Sequence, residues 1–209
     1  MFGSGAGDTA GGLAIDSGGN VYWADHYDAT IYKFTPSGVR SVFASTGLNH
    51  PSGLAFDSTG NLYVANFGNA TILKFTPGGV GSVFANTGLS GPYGLAFDSA
   101  GNLYVANDIG NTIEKFTSGG VGSLFANTGL NNPCGLAFDS AGNLYAANQS
   151  DGTIEKFTPG GIGSVFNSRL RNGPVYIAIQ TVPEPSTLAM LGLGIPAILA
   201  IRPRKERQR

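Results

Sequence analysis

Four oxygen-bearing side chains recur at a spacing of 41 residues and are the first candidates for chemistry. The first is an aspartate and the others are asparagines, and each ends a short apolar run. Carboxylate and amide oxygens are ligands that Ca²⁺ takes in proteins, so the set would suit a calcium site if the fold brought its members together. The alternative is that each side chain caps the turn that follows it through the local backbone. The four residues are Asp25, Asn66, Asn107 and Asn148.

The other reactive side chains offer little for catalysis. His26 and His50 are the only histidines, and an isolated loop histidine is more often solvated than catalytic. Cys134 is the single cysteine, so it forms no internal disulfide. No Walker loop, dinucleotide fingerprint, nucleophile elbow or zinc-type Cys/His spacing occurs. We therefore predict no catalytic residue and expect a binding protein rather than an enzyme.

An internal repeat positions these side chains. The segment GLAIDSGGNVYWAD begins at Gly12 and returns in similar form from Gly53, Gly94 and Gly135; a block of the type IxKFTPGGVGSVFA follows each copy. Each unit reads as four strands of about five residues joined by turns rich in Gly and Pro. Four short strands repeated roughly every 40 to 50 residues are typical of β-propeller blades. We predict an all-β propeller of four-stranded blades, with four complete repeats.

Several side chains recur once in every repeat, and a structural role is the simplest interpretation of each series. We predict that the aromatic series pack between blades rather than stack a sugar or a base. The aspartates of the DSxGN segments are predicted to close hairpin turns, and the lysines to lie on an outer, solvated face. The aromatic series are Phe34, Phe75, Phe116 and Phe157; Phe43, Phe84, Phe125 and Phe166; and Tyr22, Tyr63, Tyr104 and Tyr145. The aspartates are Asp16, Asp57, Asp98 and Asp139, and the lysines are Lys33, Lys74, Lys115 and Lys156.

The phase of the repeat continues past both ends of the four units. Phe2 stands 41 residues before Phe43, and after Pro174 the segment VYIAIQ falls where a first strand should stand. We therefore assign residues 1–181 to the propeller, with partial blades at both ends, and expect an incomplete ring; a closed four-bladed ring is the alternative. MFGSGAGDTA has neither the basic region nor the apolar stretch of a signal peptide, which favours a start inside a longer product of five or six blades.

Residues 182–209 have a different composition. Pro183, Glu184 and Pro185 precede an apolar run from Leu188 to Ile201. The run is short for a membrane span, but basic residues behind it favour a short transmembrane helix with a cytoplasmic end over the alternative, a buried core helix. The basic end contains Arg202, Arg204, Lys205, Arg207 and Arg209.

The body of the chain is mildly acidic. Residues 1–186 contain seven basic and twelve acidic residues. This balance gives no electrostatic attraction to nucleic acid, so we expect no nucleic-acid partner.

The tail resembles the PEP-CTERM sorting signal of exopolysaccharide-producing Gram-negative bacteria. The likeness rests on residues 182–186 (VPEPS), the apolar segment and the Arg-rich end, in that order. It implies prior export, an intermediate held in the inner membrane by the tail, and recognition by an exosortase-type enzyme. Removal of the tail would then deliver the protein to the cell surface or extracellular matrix.

The repeat resembles NHL-type propellers and, more loosely, streptogramin-lyase and gluconolactonase propellers. The likeness rests on P-x-G-L-A-F-D-S-x-G-N-L-Y-V-A-N and I-x-K-F across residues 10–180. A gluconolactonase-type site would need a divalent metal around the central channel, for which Asp25 and the three asparagines are the candidates; otherwise we expect no cofactor. One propeller fold serves enzymes, binders and scaffolds alike.

We expect a surface- or matrix-associated binding or scaffold module. Its contact surface would be the loops HYDAT, FGNAT, DIGNT and QSDGT, where the repeats vary most. The ligand would be a protein or a polysaccharide. The alternative is an exported enzyme of the lactonase or streptogramin-lyase type with its active site in missing blades.

Overall fold

The structure is a computed structural model that describes residues 11–168, 170 and 173–179. Phe2, the sorting motif, the apolar run and the basic end lie outside these residues, so the predictions made for them stay predictions. Within the described part of the chain, no helix is both long enough and apolar enough to span a membrane.

The described residues form four sheets of four strands each. The first sheet contains β1 (Leu13–Ile15), β2 (Val21–Asp25), β3 (Thr30–Phe34) and β4 (Arg40–Ala44). The second contains β5 (Pro51–Phe56), β6 (Leu62–Asn66), β7 (Thr71–Phe75) and β8 (Gly81–Ala85), with a 3-10 turn at Phe67–Asn69. The third contains β9 (Pro92–Phe97), β10 (Leu103–Asn107), β11 (Thr112–Phe116) and β12 (Gly122–Ala126). The fourth contains β13 (Pro133–Phe138), β14 (Leu144–Asn148), β15 (Thr153–Phe157) and β16 (Gly163–Asn167).

Each sheet is an antiparallel blade whose strands pair in chain order. The innermost strands β1, β5, β9 and β13 contact their neighbours in sequence, and all four blades contribute to the wall of one central cavity. Four-stranded sheets that follow one another around a shared axis form a β-propeller. The predicted fold class is therefore confirmed.

The recurring aromatic residues form the core between blades, as predicted, with the exception of Phe166, which is 60% exposed because no blade follows it among the described residues. Tyr104 is buried between Phe125 of its own blade and Phe138 of the next, with both ring centroids 4.9 Å away in edge-to-face geometry. Such pairs add to the free energy gained by burying the rings. Tyr22 and Tyr63 make the same two contacts in the first and second blades.

The first blade has no preceding blade among the described residues, and its apolar face is more open than its counterparts. Phe116 and Phe157 are fully buried, whereas Phe34, at the same repeat position, is only half-buried. Leu13 and Ile15 are 64% and 66% exposed, whereas Leu136, the fourth-blade counterpart of Leu13, is 8% exposed. Burial of the repeated side chains therefore depends on the neighbouring blade rather than on the strand that carries them.

Neighbouring inner strands pack backbone against backbone, which requires glycine at the first position of the repeat. A Cβ atom on Gly94 would overlap the carbonyl oxygen of Cys134 in the next inner strand, and one on Gly53 would overlap that of Tyr93. Without a side chain, glycine permits this approach. Gly12 and Gly135 stand at the same position.

Residues 173–179 take the place predicted for a further inner strand but do not form one. The backbone of Val175 and Ile177 lies about 3 Å from where a Cβ on Gly135 would stand, so the segment packs beside β13. It has no strand conformation. An isolated strand gains little without a hydrogen-bonded partner, and the described residues supply no second strand to pair with it.

The DSxGN segments close hairpins as predicted, and each also binds a lysine. Asp98 accepts hydrogen bonds from the backbone amides of Ala100 and Asn102 and from the Asn102 side chain, at 2.8–3.0 Å. Burial raises the pKa of Asp98, but these bonds outweigh it and leave the pKa below its ordinary value. Lys115 lies 3.7 Å from Asp98 and 5.2 Å from the ring centroid of Tyr104.

The prediction that the recurring lysines lie on a simple solvated face is therefore corrected. Each side chain is about one-third exposed and joins a turn aspartate to a core tyrosine. The other three lysines with these contacts are Lys33, Lys74 and Lys156.

Candidate functional site

The repeats differ most at one end of the propeller. Only three positions of the 41-residue unit carry four different residues in the four copies. Two of them open the loop between the second and third strands of a blade. The third is the second residue of the next blade's inner strand or, in the last copy, lies in the segment 173–179. The first set is His26, Phe67, Asp108 and Gln149; the second is Tyr27, Gly68, Ile109 and Ser150; the third is Ser52, Tyr93, Cys134 and Val175.

Backbone hydrogen bonds bring these variable positions together. The amide of Phe67 donates to the carbonyl of His50 (3.2 Å), and the amide of Asp108 donates to that of Gly91 (2.9 Å). The loops of the second, third and fourth blades are thus tied to the linkers that lead into their own inner strands. We call the surface formed by the three variable sets, together with His50 and Tyr176, the mouth.

The asparagines that were predicted as possible Ca²⁺ ligands have a structural role beneath the mouth. Asn107 is buried; its Oδ1 accepts from the amide of Ser90 (3.1 Å), and its Nδ2 donates to the carbonyl of Gly88 and to Oγ1 of Thr112, both at 2.9 Å. Asn107 therefore holds the linker that leads into β9 against the β10–β11 loop. Asn66 and Asn148 make the equivalent bonds.

Asp25, at the corresponding position of the first blade, caps its own turn. Its Oδ1 accepts from the amides of Tyr27 (3.1 Å) and Asp28 (3.0 Å). The turn-capping alternative therefore describes Asp25, whereas the three asparagines hold the preceding linker. Binding of Ca²⁺ by these residues stays a prediction. Within the described residues, no group of three or more His, Cys, Asp or Glu side chains could hold a metal.

The two histidines, which are 24 residues apart in the sequence, lie side by side in the mouth. The ring centroids of His26 and His50 are 4.8 Å apart, and Nδ1 of His50 is 2.9 Å from Oδ1 of Asn49. Burial and the neighbouring His50 lower the pKa of His26, so its ring is neutral at pH 7.

Three further aromatic rings continue from the histidines across the mouth. The ring of Phe67 lies 6.2 Å from His26 and 6.4 Å from Tyr93. The hydroxyls of Tyr93 and Tyr176 are hydrogen-bonded to each other. Burial and this contact raise the pKa of Tyr93, so the hydroxyl stays protonated.

The far side of the mouth is polar. Sγ of Cys134 lies 3.6 Å from Oδ1 of Asp108 and 3.7 Å from Oε1 of Gln149. Burial and the Asp108 carboxylate raise the pKa of the Cys134 thiol to about 12. The thiol is therefore protonated at neutral pH and is a poor nucleophile.

Below the mouth, the central cavity is small. Its volume is about 140 Å³, and its wall includes Tyr93, Cys134, Tyr176 and the inner-strand glycines. Pockets that enclose a drug-sized ligand are larger, roughly 300–1,000 Å³. A ligand of that size would therefore lie across the mouth rather than inside the channel.

The sequence matches two known families in separate places. The NHL repeat matches residues 48–75, and the PEP-CTERM protein-sorting motif matches residues 181–205. The chain is a β-propeller that contains an NHL repeat and a PEP-CTERM sorting motif. The motif indicates export and sorting in a Gram-negative bacterium and processing by an exosortase-type enzyme. No curated protein matches the chain significantly.

Solved structures support the fold. A chain of the nidogen/laminin complex is 25% identical with a TM-score of 0.73, covering 80% of this chain and 67% of that one. The virginiamycin B lyase from Staphylococcus aureus is 18% identical with a TM-score of 0.67, covering 76% and 55%. A putative gluconolactonase is 17% identical with a TM-score of 0.66, covering 78% and 64%. The chain spans about half the length of the lyase, and the likeness to the last two shows the fold alone.

The sequence interpretation placed the variable loops in the contact surface but missed Tyr93 and Tyr176. Both stand where other repeats carry unrelated residues, and Tyr176 replaces the glycine of the inner strands. A comparison of the copies position by position would have found them, because both break the repeat.

Proposed function

We propose that the protein is an exported, surface- or matrix-associated binding module, processed by an exosortase-type enzyme, that contacts its ligand at the mouth. The sorting motif supports the export route, and the propeller fold supplies a rigid support for the loops. Removal of the tail would follow passage through an inner-membrane intermediate.

The concentration of variation at the mouth carries this proposal. The turns at the opposite end are also solvent-exposed loops, yet they read DSGGN, DSTGN, DSAGN and DSAGN. The mouth loops read HYDAT, FGNAT, DIGNT and QSDGT. A surface on which every blade makes a different contact with one ligand requires such differences between copies.

The chemistry of the mouth favours binding over turnover. The Cys134 thiol is protonated at neutral pH because its pKa is about 12. Apart from the His26–His50 pair, the prominent side chains are aromatic rings, which contribute contact area and stacking rather than proton transfer or nucleophilic attack. The lactonase or lyase alternative has no comparable support from the described side chains.

Three forms of the gene at its native locus test the proposal. We expect the wild-type protein at the cell surface or in the matrix, shortened by removal of its tail. Glu184→Ala should remain full-length in the envelope, because the sorting motif is altered. The double variant Phe67→Ala/Tyr93→Ala should be shortened normally but released into the medium, because its mouth no longer binds. Intact mass and immunoblots of envelope, matrix and medium fractions measure each outcome.

Phe166→Ala is the matched control, since Phe166 is 60% exposed and is not a mouth residue. It should be processed and retained like the wild type, and the double variant should keep the wild-type melting temperature. Retention of the double variant would refute the mouth as the binding surface. A shortened Glu184→Ala protein would refute the sorting role of the motif.

A further inference from the structure

We propose that the mouth binds a neutral saccharide by stacking sugar rings on Phe67, Tyr93 and Tyr176. This inference rests on the proposed function and names the class of ligand that the binding module takes.

The three rings are exceptions to the repeat. Phe67 is the one phenylalanine with no phenylalanine counterpart in another repeat, and Tyr93 and Tyr176 have no tyrosine counterparts. The recurring aromatic residues build the core between blades, so these three are not needed for that core. Phe67 and Tyr93 are half-buried and Tyr176 is 55% exposed, which leaves part of each ring accessible.

The rings follow one another in a row, with Phe67 and Tyr93 nearly perpendicular at 86°, so successive sugars of an extended ligand would each stack on a different ring. The row runs from His26 in the first blade through Phe67 and Tyr93 to Tyr176 in the segment 173–179. A pyranose ring has two faces of apolar C–H groups and an edge of hydroxyl groups, so it stacks on an aromatic face while its edge remains hydrogen-bonded. Tyrosine supplies both an apolar face and a polar group.

Polar groups beside the row can bind the hydroxyl edge of such a ligand. The carboxylate of Asp108 and the side-chain amide of Gln149 both lie beside Cys134, next to the aromatic row. A carboxylate accepts hydrogen bonds and an amide both donates and accepts them. A few polar groups set against a largely apolar surface are the usual composition of a small-molecule site.

The charges of the described mouth residues favour a neutral ligand over an acidic one. Every lysine in the described chain pairs with a turn aspartate at the opposite end, and Arg40 stacks on Tyr32 in the first sheet. The described mouth therefore contains the carboxylate of Asp108 and no lysine or arginine. The Asp108 carboxylate would repel a phosphate or uronate group placed beside it, whereas it would not repel a neutral sugar.

Oligosaccharide fractions test the inference directly. The probes are neutral and acidic oligosaccharides from the extracellular polysaccharide of the producing bacterium, mixed with the full chain. We expect saturation-transfer NMR signals from the sugar-ring protons of the neutral fraction and a calorimetric Kd. Phe67→Ala and Tyr93→Ala should each weaken binding about tenfold or more. Tyr93→Phe should stay within about threefold because it keeps the stacking face, and Phe166→Ala should bind like the wild type.

The outcomes separate this inference from the proposed function. Absence of saturation transfer from the neutral fraction, or tighter binding of the acidic fraction, would overturn the saccharide assignment. If the Phe67→Ala/Tyr93→Ala protein is nevertheless released from the cell surface, the mouth binds a ligand of another class and the proposed function stands. If the double variant is still retained, the proposed function fails as well.

Discussion

Replacing Phe116 with alanine should lower the free energy of unfolding by about 3–5 kcal/mol. Phe116 is fully buried, its ring centroid lies 6.2 Å from that of Phe84, and its ring packs over Gly122. The substitution would leave a cavity that rigid neighbouring strands cannot fill. Urea denaturation of the full chain, followed by circular dichroism, measures the change.

Phe34→Ala is the matched control because Phe34 occupies the same repeat position in the first blade. It is only half-buried, so we expect a loss of about 1–2 kcal/mol. Equal losses at Phe34 and Phe116 would contradict the account, since they would mean that the preceding blade contributes nothing to the burial of this residue.

Gly94→Ala should be a strongly damaging single-methyl substitution, with a loss of about 3 kcal/mol or more. The added Cβ would overlap the carbonyl oxygen of Cys134. A backbone atom cannot move aside as a side chain does, so two inner strands would have to separate. The same urea measurement reports the loss.

Gly119→Ala serves as the control in the same blade. A Cβ there would have only the Oγ1 of Thr117 nearby, at 3.9 Å, so we expect a change within about 0.5 kcal/mol. If Gly94→Ala were as mild as Gly119→Ala, the inner strands would not be packed backbone to backbone.

The fold could be predicted because its determinants are local and repeated four times. Strands such as GLAFD and LYVAN, and the Asp and Gly residues of the turns between them, fix the hairpins within each blade. The aromatic series then had to pack between blades, because a blade cannot bury both of its faces alone. Periodicity therefore predicted the class, the strands and the core.

The candidate site was harder to predict because it depends on contacts between repeats. The bonds that occupy Asn107 come from the linker before its own blade, so repetition of the residue could not distinguish a clamp from a metal ligand. The proximity of His26 and His50, or of Phe67 and Tyr93, depends on how one blade lies against the next. The segment 173–179 kept the repeat phase without forming a strand, since strand formation depends on a partner.

Hydrogen–deuterium exchange of the full chain, with and without the extracellular polymer of the producing bacterium, tests most directly whether the mouth is the contact surface. We predict that the polymer slows exchange in residues 26–28, 67–69, 108–110 and 149–151, and leaves the DSxGN turns at the opposite end unchanged. Slowed exchange confined to those turns, or to the open face of the first sheet, would contradict the account.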